Sequence, residues 1–279
     1  MTATFTQPVT YGSDRLAQLI AAIGEGSLDR ERSGQRPFAA IDLAKQARLG
    51  ALRISREDGG GGASLRELFS VVIALAAADV NVAHILRGHF AHVEERLRLD
   101  DAQRRRVTEL ALSGAIVGNA STEIGSTTIG EFTWQTRLTA DGDGWRLNGK
   151  KYFTTGTLYA DYAEVLASDP AGATVAVLVP TDRAGVTVLD DWDGMGQRAT
   201  GTGTAIFENV LITADETLPF APEGAGSEPP PMYLSGAFYQ LYVTALVVGV
   251  LRALRVDAVA TRPSAGTQFR VGAHTVGAG

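Results

Sequence analysis

Apolar residues in the first third of the chain recur at helical spacing. Leu16, Leu19, Ile20 and Ile23 fall at i, i+3, i+4 and i+7, on one face of a helix. Asp42 to Leu49 predicts a second, shorter helix. Glu57-Asp58 followed by Gly59 to Gly62 must be a loop, because consecutive glycines lose too much conformational freedom to hold a helix. Ser64-Leu65-Arg66-Glu67 has the spacing of a capping box, and Leu65, Leu68, Phe69, Val72 and Ile73 form an apolar stripe behind it. Asn81 opens a further predicted helix through about Leu97, and Arg104 to Leu112 supplies another.

The period changes after Gly114. Trp134, Thr136, Leu138 and Ala140 alternate with polar neighbours, as in a half-buried strand. Asp141-Gly142-Asp143-Gly144 is a turn signal, and Trp145-Arg146-Leu147 restarts a strand. Ala163 to Ala167, Thr174 to Val179, Val186 to Leu189 and Thr204 to Val210 are further β-rich segments separated by Gly, Pro and Asp. Their spacing predicts a small barrel or sandwich. Helix returns over Tyr239 to Val259. Its apolar stretch, Tyr242 to Leu254, is interrupted by Thr244 and Arg252; it is expected to be too short to cross a bilayer and to lie buried. The fold class is therefore α+β. A helical N-terminal domain (1–113) precedes a β-barrel or sandwich middle domain (114–218), a Pro/Gly-rich loop (219–231) and the start of a C-terminal helical domain (232–279).

Composition narrows the function. The 279 residues are 45% hydrophobic and 20% charged, with 25 Lys+Arg against 31 Asp+Glu and a formal net charge of -6. An acidic chain lacks the basic footprint for nucleic acid or an anionic membrane, so neither is expected as a partner. No N-terminal basic-then-apolar leader is visible, and a cytoplasmic location is expected. With no Cys, thiol catalysis, disulfides and thiolate metal sites are excluded. Only His84, His89, His92 and His274 are present, and the pair His89/His92 has no third ligand suggested nearby, so no metal is expected. No Gly-x-Gly-x-x-Gly opens a βαβ unit, no Lys-Ser/Thr follows Gly59 to Gly62, and no Gly-x-Ser-x-Gly occurs, which argues against a Rossmann site, a phosphate loop and a nucleophile elbow.

Four motifs stand in order through the β region: Gly118-Asn119-Ala120-Ser121-Thr122-Glu123-Ile124-Gly125-Ser126; Leu147-Asn148-Gly149-Lys150-Lys151-Tyr152-Phe153-Thr154-Thr155-Gly156; Asp191-Trp192-Asp193-Gly194-Met195-Gly196-Gln197-Arg198 with Thr200-Gly201-Thr202-Gly203-Thr204; and Phe207-Glu208-Asn209-Val210. After a helical block, this succession resembles the acyl-CoA dehydrogenase superfamily. The Asp191 to Arg198 segment is most similar to the flavin-dependent branch of the dibenzothiophene monooxygenases. The resemblance covers roughly residues 10–260, and it implies an incomplete version of that fold, since the family's C-terminal helical bundle is only begun.

The resemblance implies a flavin oxidoreductase that uses reduced FMN and O₂ to oxygenate a small organic substrate containing sulfur or nitrogen. A separate reductase would supply the flavin, and a homo-oligomer is expected. An FAD-dependent acyl-CoA dehydrogenase and a truncated, inactive flavin-binding homologue are the alternatives. Phe153, Thr154 and Thr155 would lie against the ring, with Asn119, Ser121 and Thr122 on the opposite edge, Trp192 as an aromatic wall and Arg262 on the phosphate. Backbone groups and short hydroxyl side chains suit a ring edge because they bond closely without bulk. His89 shares its helix face with Ile85, Leu86 and Val93 and so points inward, unlike His84. In the branch it resembles, a His on this helix faces the flavin's oxygen site, which makes His89 the expected catalytic residue.

Overall fold

The structure is a computed structural model that describes residues 7–99, 101–125, 134–219 and 231–260. Helix α1 (Asp14–Gly24) begins where Ser13 accepts the Leu16 N–H at 3.2 Å, and it buries Leu16, Leu19 and Ile23. Helix α2 (Ser27–Ser33) has no buried residue, so no apolar period marks it in the sequence. It is tied down by Arg30, which donates to Ile23 O at 2.6 Å and to Asp79 Oδ2 at 2.8 Å. Helix α3 (Phe38–Gln46) and a 3-10 turn (Leu49–Arg53) follow. The capping box of α4 (Leu65–Ala78) is complete: Glu67 accepts the Ser64 N–H at 2.7 Å while Ser64 Oγ accepts the Glu67 N–H at 3.3 Å.

The helix expected from Asn81 onward is two. α5 (Val80–Ile85) and α6 (Arg87–Arg96) are jointed at Leu86, and Asp79 caps α5 by accepting from Asn81 and Val82 N–H at 2.9 and 3.1 Å. Helix α7 (Asp101–Ser113) leads into the sheet.

Strands β1 (Val117–Ala120), β2 (Arg137–Asp141), β3 (Gly144–Lys151), β4 (Tyr162–Ser168), β5 (Thr174–Pro180), β6 (Val186–Val188), β7 (Ala205–Ile212) and β8 (Thr217–Pro219) form one sheet. Its order is β6-β7-β3-β2-β4-β5-β8, with β1 parallel to the start of β4. It is not closed into a barrel; the end strands β6 and β8 are three residues each, short edges that offer little for further pairing. One apolar layer gathers Leu138, Leu147, Val165, Val177, Phe207 and Ile212. A second cluster, with Val117, Leu178 and Leu218, takes in Leu110 of α7. Alternation along the strands thus feeds two apolar layers.

Helix α8 (Pro231–Ala260) lies across α4: Phe238 and Tyr242 meet Phe69 at ring-centroid distances of 5.5 and 6.4 Å. At Gly249 a side chain would come within 2.5 Å of Ala76 Cβ. The expectation of a short, buried helix needs correction in two respects. Residues 236–256 are long and apolar enough to cross a membrane by length and composition. Only one face, Phe238, Tyr242, Ala245 and Leu246, is buried; Leu241, Val247, Leu251 and Leu254 are each more than half exposed.

The Tyr242 hydroxyl donates to Ala83 O at 2.8 Å inside this core. Tyr242→Phe leaves that buried carbonyl without its donor, a loss of about 1–2 kcal/mol. The expected outcome is a lower urea midpoint with an unchanged denaturant slope.

Candidate functional site

The site forms where the helical layer meets the sheet. After β3 the Tyr152 N–H donates to Thr122 O at 2.8 Å, joining the two motif segments by a β-bridge. The chain then turns sharply at Phe153, whose φ of 55° is left-handed, a conformation that costs energy for a residue with a side chain. The turn is fixed from behind. Thr154 donates from both its N–H and its hydroxyl to Gly203 O at 3.0 Å, and the Gly156 N–H donates to Thr200 O at 3.1 Å. Thr157 Oγ1 donates to Asn119 O at 3.1 Å. Gly156 has φ 83° and lies so close to α5 that a Cβ would stand 2.4 Å from Ile85 O.

Asn119, Ser121 and Thr122 are therefore brought beside Phe153, Thr154 and Thr155. Thr154 and Thr155 are buried, and their hydroxyls serve the turn: Thr155 Oγ1 accepts from Thr202 Oγ1 at 3.1 Å. Ser121 Oγ donates to Asn119 Oδ1 at 2.9 Å. The Asn119 amide NH₂ and the exposed Thr122 hydroxyl make no hydrogen bond among the described residues. Phe153 is half exposed, and Trp192 meets it edge-on at 6.2 Å and 80°. The Trp192 Nε1–H donates to Gln197 O at 3.2 Å, which holds the indole in its loop. An open aromatic surface beside an unspent amide and hydroxyl suits a flat heteroaromatic ring with polar edges. The residues present fit a flavin. Arg262 lies outside the described residues.

A buried ion pair stiffens the segment that carries Ser121 and Thr122. Lys151 Nζ donates to Glu123 Oε1 at 2.7 Å and to Ser121 O at 3.3 Å, over the Trp134 ring at 4.3 Å. Glu123 also accepts from the N–H groups of Gln135 and Thr136 at 2.7 and 2.9 Å. Burial pushes the Lys151 ammonium down to about 8, against the pull of Glu123.

His89 is fully buried. The Val117 N–H donates to its Nδ1 at 3.3 Å, so the neutral ring carries its proton on Nε2, which lies against the Gly50 backbone. Burial pushes its pKa down to about 4. The structure thus places the expected catalytic residue in the joint between the Leu49–Arg53 turn and β1. His92 is also committed: its Nδ1 bonds Glu164, which accepts from Arg96 at 3.1 Å. Burial alone would raise the Glu164 carboxyl, but Arg96 and His92 hold it well below the usual range.

The histidine brought to the Trp192 loop is His84. Its Nδ1 bonds Gln197 Oε1, and its Nε2 is buried with no partner among the described residues. Burial, and then the Arg87 charge, push its pKa down to about 4. Arg87 stacks on the Tyr239 ring of α8 at 5.3 Å. His84 and Arg87 lie on the helix face turned from the helical core, which Gln197 of the 190s loop and Tyr239 of α8 cover; helical periodicity carries no signal for such distant partners. Among the described residues no three His, Asp or Glu side chains gather as metal ligands.

Residues 119–210 match the family model for the acyl-CoA dehydrogenase middle domain. Dibenzothiophene monooxygenase of Rhodococcus erythropolis is 33% identical over 200 residues, covering 69% of this chain and 47% of that protein. FMN-bound TdsC from Paenibacillus sp. A11-2 superposes with a TM-score of 0.74 at 29% identity, covering 88% of this chain and 64% of that one. The methanesulfinate monooxygenase MsuC from Pseudomonas fluorescens gives a TM-score of 0.76 at 25% identity, covering 93% and 65%. The chain spans about half the length of the curated dibenzothiophene monooxygenases it matches.

The depressed histidines, His84 and His89 most clearly, make stability depend on pH. Between pH 6.5 and about 4 the unfolded chain binds protons that neutral, folded His84 and His89 refuse, so stability falls as pH is lowered through that window, by up to about 1.4 kcal/mol per pH unit per histidine. Urea titrations should show this slope already above pH 5, where most carboxylates are still ionised. His89→Met should reduce the slope by about one proton's worth; an unchanged slope would mean that His89 titrates normally.

Proposed function

We propose, from the premise that this chain belongs to the acyl-CoA dehydrogenase superfamily on the side of its flavin monooxygenases, that it serves a reduced-FMN-dependent oxygenation of a small organic substrate bearing sulfur or nitrogen. The observation that carries this reading is the half-exposed Phe153, walled by Trp192 and set beside the unspent Asn119 amide and Thr122 hydroxyl. FMN, when bound, would supply the chemistry with O₂, and a separate reductase would supply it in reduced form.

The chain's own residues do the positioning. Phe153 and Trp192 back the ring, with Asn119 and Thr122 bonding its edge. Ser121, Thr154 and Thr155 hold those segments in shape through their internal bonds. Trp192 also shields the site from water. His84, kept neutral by burial and by Arg87, holds the Trp192 loop through its bond to Gln197. The likeness to FMN-bound TdsC supports FMN rather than FAD. The exposed apolar face of α8 supports a homo-oligomer, and the acidic composition argues against nucleic acid or an anionic membrane surface as a partner.

Calorimetry with FMN and FAD, followed by turnover of dibenzothiophene and methanesulfinate with reduced FMN and ¹⁸O₂, tests the proposal. FMN is expected to bind in preference to FAD, with labelled oxygen in a product. Asn119→Ala and Thr122→Val should each weaken FMN binding roughly tenfold, about 1.4 kcal/mol. Tight FAD with oxidation of an acyl-CoA would favour the dehydrogenase reading, and no flavin binding would overturn both.

A further inference from the structure

Arg87 is the one feature of the rim that the flavin reading leaves unexplained. It is the first residue of α6, and its neighbour Gly88 packs directly on Asn119: a Cβ there would stand 3.1 Å from the Asn119 N. The guanidinium is half-buried, and among the described residues it has neither a hydrogen bond nor an ion pair. Its Nε is buried without a partner, as is Nε2 of the neighbouring His84. Its one described contact is the face of Tyr239 at 5.3 Å.

Five other buried or half-buried cations near the junction are compensated. Arg30 pairs with Asp79 at 2.8 Å, Lys45 with Asp161 at 3.0 Å, Arg53 with Glu94 at 2.8 Å, Arg96 with Glu164 at 3.1 Å and Lys151 with Glu123 at 2.7 Å. Arg87 alone among these is withdrawn from water with only an aromatic face to offset the loss, and burial lowers its pKa. A cation held so is short of a counter-charge, and a fork of guanidinium donors matches the planar or pyramidal oxygens of a carboxylate, sulfinate or sulfonate. His84 beside it is neutral and bonded to Gln197 of the Trp192 loop, and Gly88 next to it packs on Asn119, so the cation sits on a segment that touches both sides of the flavin surface.

We propose that Arg87 is a substrate-binding residue that holds the oxyanion of a small anionic substrate, with Tyr239 as the floor beneath the guanidinium. This deepens the oxygenase reading and rests on it for the word substrate; the anion site itself does not require flavin.

Two titrations of the purified protein separate these claims. In the first, methanesulfonate and benzoate are compared with their neutral counterparts, dimethyl sulfone and benzamide, by calorimetry without flavin. In the second, FMN is titrated into the same samples. The wild-type chain is expected to bind each anion at least tenfold more tightly than its neutral counterpart. Arg87→Gln should abolish that preference, Arg87→Lys should keep part of it, and FMN affinity should change less than twofold in both. Melting temperatures of the two variants check that they fold, and Arg87→Lys decides the matter should Arg87→Gln fail to. Equal binding of charged and neutral probes by the wild type overturns the proposal, as does a preference that survives Arg87→Gln. Loss of FMN affinity in Arg87→Gln without any anion preference in the wild type would assign the arginine to the flavin instead. Anion preference in a protein that binds no FMN would uphold the site and overturn the oxygenase reading.

Discussion

The contact on which the rest of the architecture depends is made between backbones, where α5 and α6 touch the sheet. Ile85 O lies against Gly156, where a Cβ would stand only 2.4 Å away, and Gly88 lies against Asn119, where a Cβ would stand 3.1 Å away and force its neighbour to give. So close an approach fixes the spacing of the helical layer and the sheet more tightly than side-chain packing would, because no rotamer change can absorb a shift. It also explains why Phe153 is held left-handed. Thr154 and Gly156 are bonded to Gly203 and Thr200 on one side and pressed against α5 on the other, so the chain between β3 and that anchor has to turn at Phe153. The strain is met by those surrounding bonds, and its product is an aromatic ring that stands out of the surface instead of entering the core.

Ion pairs, the Glu164 one buried and the Asp161 one partly exposed, complete this junction. Glu164 of β4 receives His92 and Arg96 of α6, and Asp161 receives Lys45 of α3 and the Ile116 N–H. Such pairs add little net stability, since desolvation cancels most of the attraction. Their geometry is demanding, however, and removing one partner strands a buried charge. They therefore select one relative placement of helices and sheet. Lys151 and Glu123 do the same within the sheet, pinning the strand end that leads to Phe153 to the segment that leads from Asn119.

How much of this was legible in the sequence depends on how far apart the interacting residues lie. The capping box at Ser64 and the β-rich segments that become β4 and β5 are local patterns, and the structure follows them. The four motifs are linear too, and they locate Asn119, Thr122 and Phe153 in one place because each motif is a single turn or strand end. Helix α2 was invisible because it buries nothing, its anchors being Arg30 contacts to Ile23 and Asp79. The barrel expected from strand spacing is an open sheet because spacing carries no information about whether β6 and β8 meet. The contact of His84 with the Trp192 loop was not legible for a related reason. A helix projection shows which side chains face the helix's own core; it cannot show that Gln197, distant in sequence, arrives to cover the opposite face.

The position of Arg87 follows from packing on the far side of α8. Tyr242 and Phe238 are buried among Phe69 and Phe90, which sets the rotation of that helix about its axis. Tyr239 is one residue past Phe238 and three before Tyr242, so the same rotation carries its ring to the edge of the core, over the first turn of α6. A ring fixed in this way offers Arg87 a surface and no charge. A carboxylate at the same place would have neutralised the guanidinium within the fold, as Asp79 neutralises Arg30, and the rim would present no net charge to a ligand. The aromatic residue keeps the cation in position while leaving its charge unanswered, which is the difference between an arginine that holds two elements of the protein together and one that is available to bind something else.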